Sequence, residues 1–131
     1  MPNFHDALFR GTFQHPEVAA ELLQATLPAE VIQQVDWTSL KPQKDSFIGR
    51  DLEEYSADLL FRARICGKDG FLYLLFEHKS YPDPRALVQL LGYIVQIWRR
   101  KNPPGKTELF PVLPLLRNSV GVRENRSFDP V

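Results

Sequence analysis

Residues 72–84 read LYLLFEHKSYPDP, an apolar run of strand type that closes on Glu77, His78 and Lys79 just before Pro82 and Pro84 break it. Charges rarely end a buried strand, because a charge taken out of water is costly unless it is paired. Further back, Asp58 stands inside a second apolar run, SADLLF. Two carboxylates within reach of each other repel unless a cation lies between them, and hard oxygen donors of this kind suit Mg²⁺. A lysine beside such an ion orients or deprotonates a water, or steadies the charge that develops on a phosphate.

Those residues meet only if the chain between them folds back. Two β-favouring runs flank Gly67, Lys68, Asp69 and Gly70, which is turn chemistry of the hairpin kind. With these four as the loop, paired residue numbers add to 137, so Cys66 faces Phe71 and Asp58 faces Lys79. Opposed residues share a face of a sheet, and Glu77 joins them as a diagonal neighbour while His78 points the other way. A slip of one residue would put Asp58 and Glu77 on opposite faces. The plainer reading is a cross-strand ion pair between Asp58 and Lys79, worth a few tenths of a kcal/mol when exposed.

The remaining elements follow from hydrophobic period and helix punctuation. Residues 3–13 place Phe4, Ala7, Leu8 and Phe13 at near-helical spacing with Asn3 as N-cap. A second helix opens at Pro16, carries Val18, Leu22 and Leu23, and stops at Pro28. Residues 29–50 show no sustained period and read as a helical turn followed by an irregular connection. Residues 84–101 form a long amphipathic helix with Leu87, Leu90, Leu91, Ile94, Ile97 and Trp98 on its apolar face and three cations at its end. In LFPVLPLL, Pro111 and Pro114 demote a strand to the edge of its sheet, and the chain from Arg117 onward reads as a loose tail. The order is helix, helix, strand, strand, helix, strand.

A chain of 131 residues is one domain with room for a core that needs no disulfide, and its single Cys66 cannot make an internal bridge. Three His and one Cys have no zinc-ligand spacing. No leader-like stretch and no apolar run near 18 residues is present, so a cytoplasmic setting is expected. Basic and acidic residues number 16 each, but residues 1–60 hold 4 basic against 10 acidic and residues 61–131 hold 12 against 6. That asymmetry is compatible with a basic surface that meets nucleic acid.

An acidic residue on one strand followed by Glu-x-Lys on the next resembles the PD-(D/E)XK nuclease superfamily. More closely, HDALFR, DLLFR and LLFEHKSYPDPRALVQLLGYI resemble the Rpn (YhgA-like) family of recombination-promoting nucleases, also called transposase-like, over residues 4–116. The resemblance implies an α/β (α+β) fold with a PD-(D/E)XK restriction-endonuclease-like core, a mixed β-sheet flanked by helices. It implies one domain over residues 1–116, with residues 117–131 as a tail that is short relative to the family. By position Asp58 and Glu77 would hold Mg²⁺, for which Mn²⁺ or Ca²⁺ could substitute, with the backbone carbonyl of His78 as a further ligand and Lys79 as the catalytic cation. Many relatives carry Gln at the position of Lys79, and lysine is the commoner choice across the superfamily. Gln89 and Tyr93 resemble a Gln-x-x-x-Tyr substrate-binding element, although i,i+4 neighbours flank an apolar stripe on any helix. Asp6 could add a further acid.

The implied activity is metal-dependent hydrolysis of DNA phosphodiesters in recombination or transposition. Arg62 and Arg85, with Arg64, Arg99, Arg100 and Lys101, would track backbone phosphates. The rival is a truncated or inactive nuclease-fold module that binds nucleic acid or a partner protein. Sequence leaves the oligomeric state open, although two breaks in a duplex would come most simply from a symmetric homodimer.

Overall fold

The structure is a computed structural model that describes residues 11, 14–48, 56–77, 84–105 and 108–118. The expected first helix over residues 3–13 lies almost wholly outside them. Helix α1 spans Pro16–Thr26, a single turn α2 spans Ala29–Ile32, and strand β1 spans Val35–Gln43. Strands β2, Ser56–Ile65, and β3, Lys68–Glu77, form the hairpin. Helix α3, Ala86–Lys101, then leads to β4, Val112–Asn118.

The four strands make one sheet in the order β1-β2-β3-β4, antiparallel except for the parallel β3–β4 pair. Side-chain alternation divides the core. Leu59, Phe61, Ala63, Ile65, Leu72 and Leu74 pack with Ala19 and Leu23 of α1 on one face. Leu60, Phe71, Tyr73 and Leu75 pack with Leu90, Tyr93, Ile94 and Ile97 of α3 on the other. The result is a mixed α+β fold, a mixed sheet flanked by helices, consistent with a PD-(D/E)XK-like core.

Strand β1 corrects the irregular connection expected over residues 29–50. Its period is broken because the pairing shifts between Asp36↔Arg64 and Lys41↔Arg62. The extra residues close on themselves: Thr38 donates both its N–H and its Oγ to Asp36 Oδ1, at 3.1 and 2.7 Å. Arg64 N–H donates to Ser39 Oγ at 2.9 Å, tying the bulge to β2.

The hairpin turn is also tighter than its sequence suggested. Cys66 and Gly67 take φ of 52° and 78°, and Ile65 pairs with Lys68. Two consecutive positive φ values match the twist of the flanking strands in a two-residue turn. Paired numbers therefore add to 133, so Asp58 faces Leu75 and Arg62 faces Phe71, in place of the expected Asp58–Lys79 and Cys66–Phe71 pairs. Gly70 belongs to β3 rather than to the turn. A Cβ there would stand 2.7 Å from Pro111 O, and the next residue, Phe71, donates its N–H to that same carbonyl at 3.0 Å.

Strand β4 sits at the edge, as Pro111 and Pro114 predict, and runs to Asn118, past the expected start of the tail. Trp98 Nε1 donates to Phe110 O at 3.0 Å and pins the connection between α3 and β4. The apolar faces of both helices differ from expectation. On α3, Leu87 and Leu91 are 61% and 63% exposed, and Tyr93 takes the core position. On α1, Ala19 and Leu23 are buried while Val18 and Leu22 are exposed.

Candidate functional site

Asp58 and Glu77 are the buried charged residues among those described, at 0% and 4% exposure. Both lie on the α3 face of the sheet. Asp58 faces Leu75, and Glu77 is two residues further along β3, a diagonal separation of about 7 Å. The revised register keeps them together because it moves the partner by an even number of residues.

The donors around Asp58 come from two elements. Ser46 Oγ donates to Oδ1 at 2.5 Å, and Phe47 N–H and Tyr73 OH each donate to Oδ2 at 2.7 Å. Hydrogen bonds to a carboxylate are short and roughly twice as strong as neutral ones, which is how a charged side chain is kept inside a core. These donors are neutral groups, and each favours the charged form of the carboxylate. Tyr73 belongs to β3, and its ring meets Phe47 and Tyr93 edge-on at 5.8 and 6.1 Å. Ser46 and Phe47 lie in residues 44–48, which follow β1 and have no regular structure.

That segment is held to the end of α3. Lys101 Nζ lies 2.8 Å from Asp45 Oδ1, and an Arg100 guanidinium nitrogen lies 3.4 Å from Oδ2. The Arg100 guanidinium also stands 4.4 Å above the Phe47 ring. Partial burial pushes the Asp45 carboxyl up, but the hydrogen bond and charge of Lys101, with those of Arg100, hold it below its ordinary value.

The expected substrate-binding residues are not all gathered here. Tyr93 is buried in the core beside Tyr73, and Gln89 is half-buried one turn before it. Arg62 shares the face of Asp58 but lies four residues along β2, about 13 Å away. It pairs with Asp69 at 3.6 Å. Arg85 is exposed at the start of α3, and its carbonyl accepts the N–H of Gln89 at 3.0 Å. Asp6, His78 and Lys79 lie outside the described residues. A cleft of about 400 Å³, lined among others by Arg62, Phe71, Lys101 and Phe110, opens toward the turn end of the hairpin, away from the carboxylates.

Ser46, Phe47 and Tyr73 were not anticipated as partners of Asp58. Tyr73 had a signal, since a buried phenol seeks a hydrogen-bond partner and alternation puts it on the carboxylate face. Ser46 and Phe47 had none, because they follow a strand whose period is broken.

No group of three or more His, Cys, Asp or Glu side chains suited to a metal occurs among the described residues. Two hard carboxylates nonetheless fit Mg²⁺, which is commonly held by one or two carboxylates and keeps several waters. A family model described as "Putative transposase, YhgA-like" matches residues 3–119. The chain belongs to this family.

Among YhgA-like relatives, recombination-promoting nuclease RpnC of Escherichia coli K12 is 30% identical over 112 residues, covering 86% of this chain and 37% of its own. RpnD of Escherichia coli O157:H7 is 30% identical over 113 residues, covering 86% and 44%. A third, the inactive recombination-promoting nuclease-like protein RpnE of strain K12, is 29% identical over 112 residues, covering 86% and 38%. The chain thus spans less than half the length of these three relatives, in a nuclease-like family associated with recombination that includes inactive members. No solved structure matches significantly. No helix among the described residues is long and apolar enough to cross a membrane.

Proposed function

We propose that this domain is a Mg²⁺-dependent DNA endonuclease whose metal is held by Asp58 and Glu77. The observation that carries the reading is the pair of buried carboxylates on one face of the hairpin. Relatives named as recombination-promoting nucleases support it. When bound, the ion supplies Lewis acidity and a more acidic water. Asp58, fixed by Ser46, Phe47 and Tyr73, presents an oriented anionic ligand. Lys79 follows Glu77 by two residues in sequence, and its ammonium would orient the attacking water and steady charge on the phosphate. Arg85 and the exposed Arg99 would contact backbone phosphates, giving salt-dependent binding with little sequence preference.

One observation favours a second reading. Asp58 is tied into the core by donors from two segments, as a carboxylate with a purely structural role would be, and two relatives carry the word inactive in their names. On that reading the fold binds nucleic acid or a partner without cutting. Supercoiled plasmid incubated with the purified chain separates the two. The nuclease reading requires nicking with Mg²⁺, none with EDTA, and loss of nicking in Asp58→Asn, Glu77→Gln and Lys79→Ala variants that stay folded. DNA retained without nicking in any metal would leave the binding module.

A further inference from the structure

The segment that supplies Ser46 and Phe47 to Asp58 has no ladder of its own to hold it. Gln43 is the last residue of β1, and residues 44–48 are irregular. Besides the Phe47 ring in the core, the end of α3 holds them, where Lys101 and Arg100 grip Asp45 and Arg100 covers Phe47. The Asp45 and Lys101 side chains are only 19% and 24% exposed, so this pair is shielded from solvent more than an ordinary surface bridge. The cations suit a helix C-terminus on electrostatic grounds and are anchored by its last turn.

We propose that Asp45 is a positioning residue for Asp58: clamped by Lys101 and Arg100, it sets the place of the Ser46 hydroxyl and the Phe47 N–H, and through them the orientation of the Asp58 carboxylate. The proposal rests on the nuclease reading in so far as that orientation serves a metal. Partners one shell away from a metal ligand change metal affinity about 10- to 100-fold when removed. The same order is expected at one remove here only if the clamp transmits its order through residues 45–47.

The test compares the full chain with Asp45→Ala, Asp45→Asn and Lys101→Ala. Two quantities are read: exchange of the Phe47 amide against that of Leu74 in β3, and the Mg²⁺ concentration giving half-maximal plasmid nicking. Loss of the clamp speeds Phe47 exchange about tenfold while Leu74 is unchanged, because only a local opening has been eased. Half-saturation by Mg²⁺ rises about tenfold in Asp45→Ala and Lys101→Ala, and in Asp45→Ala the rate at saturating Mg²⁺ stays within about twofold of the parent. Asp45→Asn keeps an acceptor for Lys101 and falls between. A merely structural role would not shift the metal dependence at a preserved maximal rate.

Phe47 exchange unchanged in both Asp45→Ala and Lys101→Ala overturns the proposal. Faster exchange with an unchanged Mg²⁺ dependence, in a parent that does nick, overturns it too. If the parent neither nicks nor responds to Mg²⁺ while Phe47 exchange still quickens, the clamp's hold on Asp58 stands and the nuclease reading falls.

Discussion

Tyr73→Phe isolates the phenol that holds Asp58. The Tyr73 OH donates to Oδ2 at 2.7 Å, and both side chains are fully buried. Phenylalanine keeps the ring and its edge contacts with Phe47 and Tyr93. The substitution removes the hydrogen bond to a charged group in a buried site, worth about 1.5–3 kcal/mol. Against a total stability of about 5–15 kcal/mol that is a large fraction. At this chain length the melting point should fall by about 6–12 °C. Urea unfolding followed by the fluorescence of Trp37 and Trp98 measures it, with the midpoint falling and the slope preserved. A loss below about 0.5 kcal/mol would refute the claim that this hydrogen bond stabilises a buried anion.

Leu90→Ala and Leu91→Ala test the seating of α3. Leu90 is 6% exposed and Leu91 63%, so the first should cost about 2–4 kcal/mol and the second less than about 0.5 in the same urea assay. Gly70→Ala drives a Cβ into the Pro111 carbonyl and should cost about 1–3 kcal/mol, with amide shifts concentrated at Phe71 and Val112. For Asp45 the sign follows from its lowered carboxyl. A folded pKa below the unfolded value, about 3.9, gives stability that is complete above that value and is lost as pH falls through the folded one. The stability gap between the parent and Asp45→Asn at pH 7 should therefore close as pH drops below about 4; a gap constant with pH would contradict the pairing with Lys101.

Much of the architecture was legible because its signals are local. The hairpin follows from two β-favouring runs around a glycine-rich turn, α3 from its apolar period and terminal cations, and the edge position of β4 from Pro111 and Pro114. Strand β1 was hidden because a bulge breaks its alternation. The register was misplaced because Cys66, a non-glycine residue, takes a positive φ, while Gly70 is required by the approach of Pro111 and not by a turn. The shared face of Asp58 and Glu77 was legible all the same, since it depends on parity alone. The clamp on residues 45–47 was not, because Asp45 and Lys101 are distant in sequence and no periodic pattern links them.

The proposed site requires Asp58 and Glu77 to hold a metal ion as one unit. Calorimetric titration of Mn²⁺ into the folded chain, beside Asp58→Asn and Glu77→Gln, measures this. A saturable site is expected in the parent and its loss in both variants, each of which keeps its fold. Binding that survives in either variant, or a parent that takes up no metal, would contradict it.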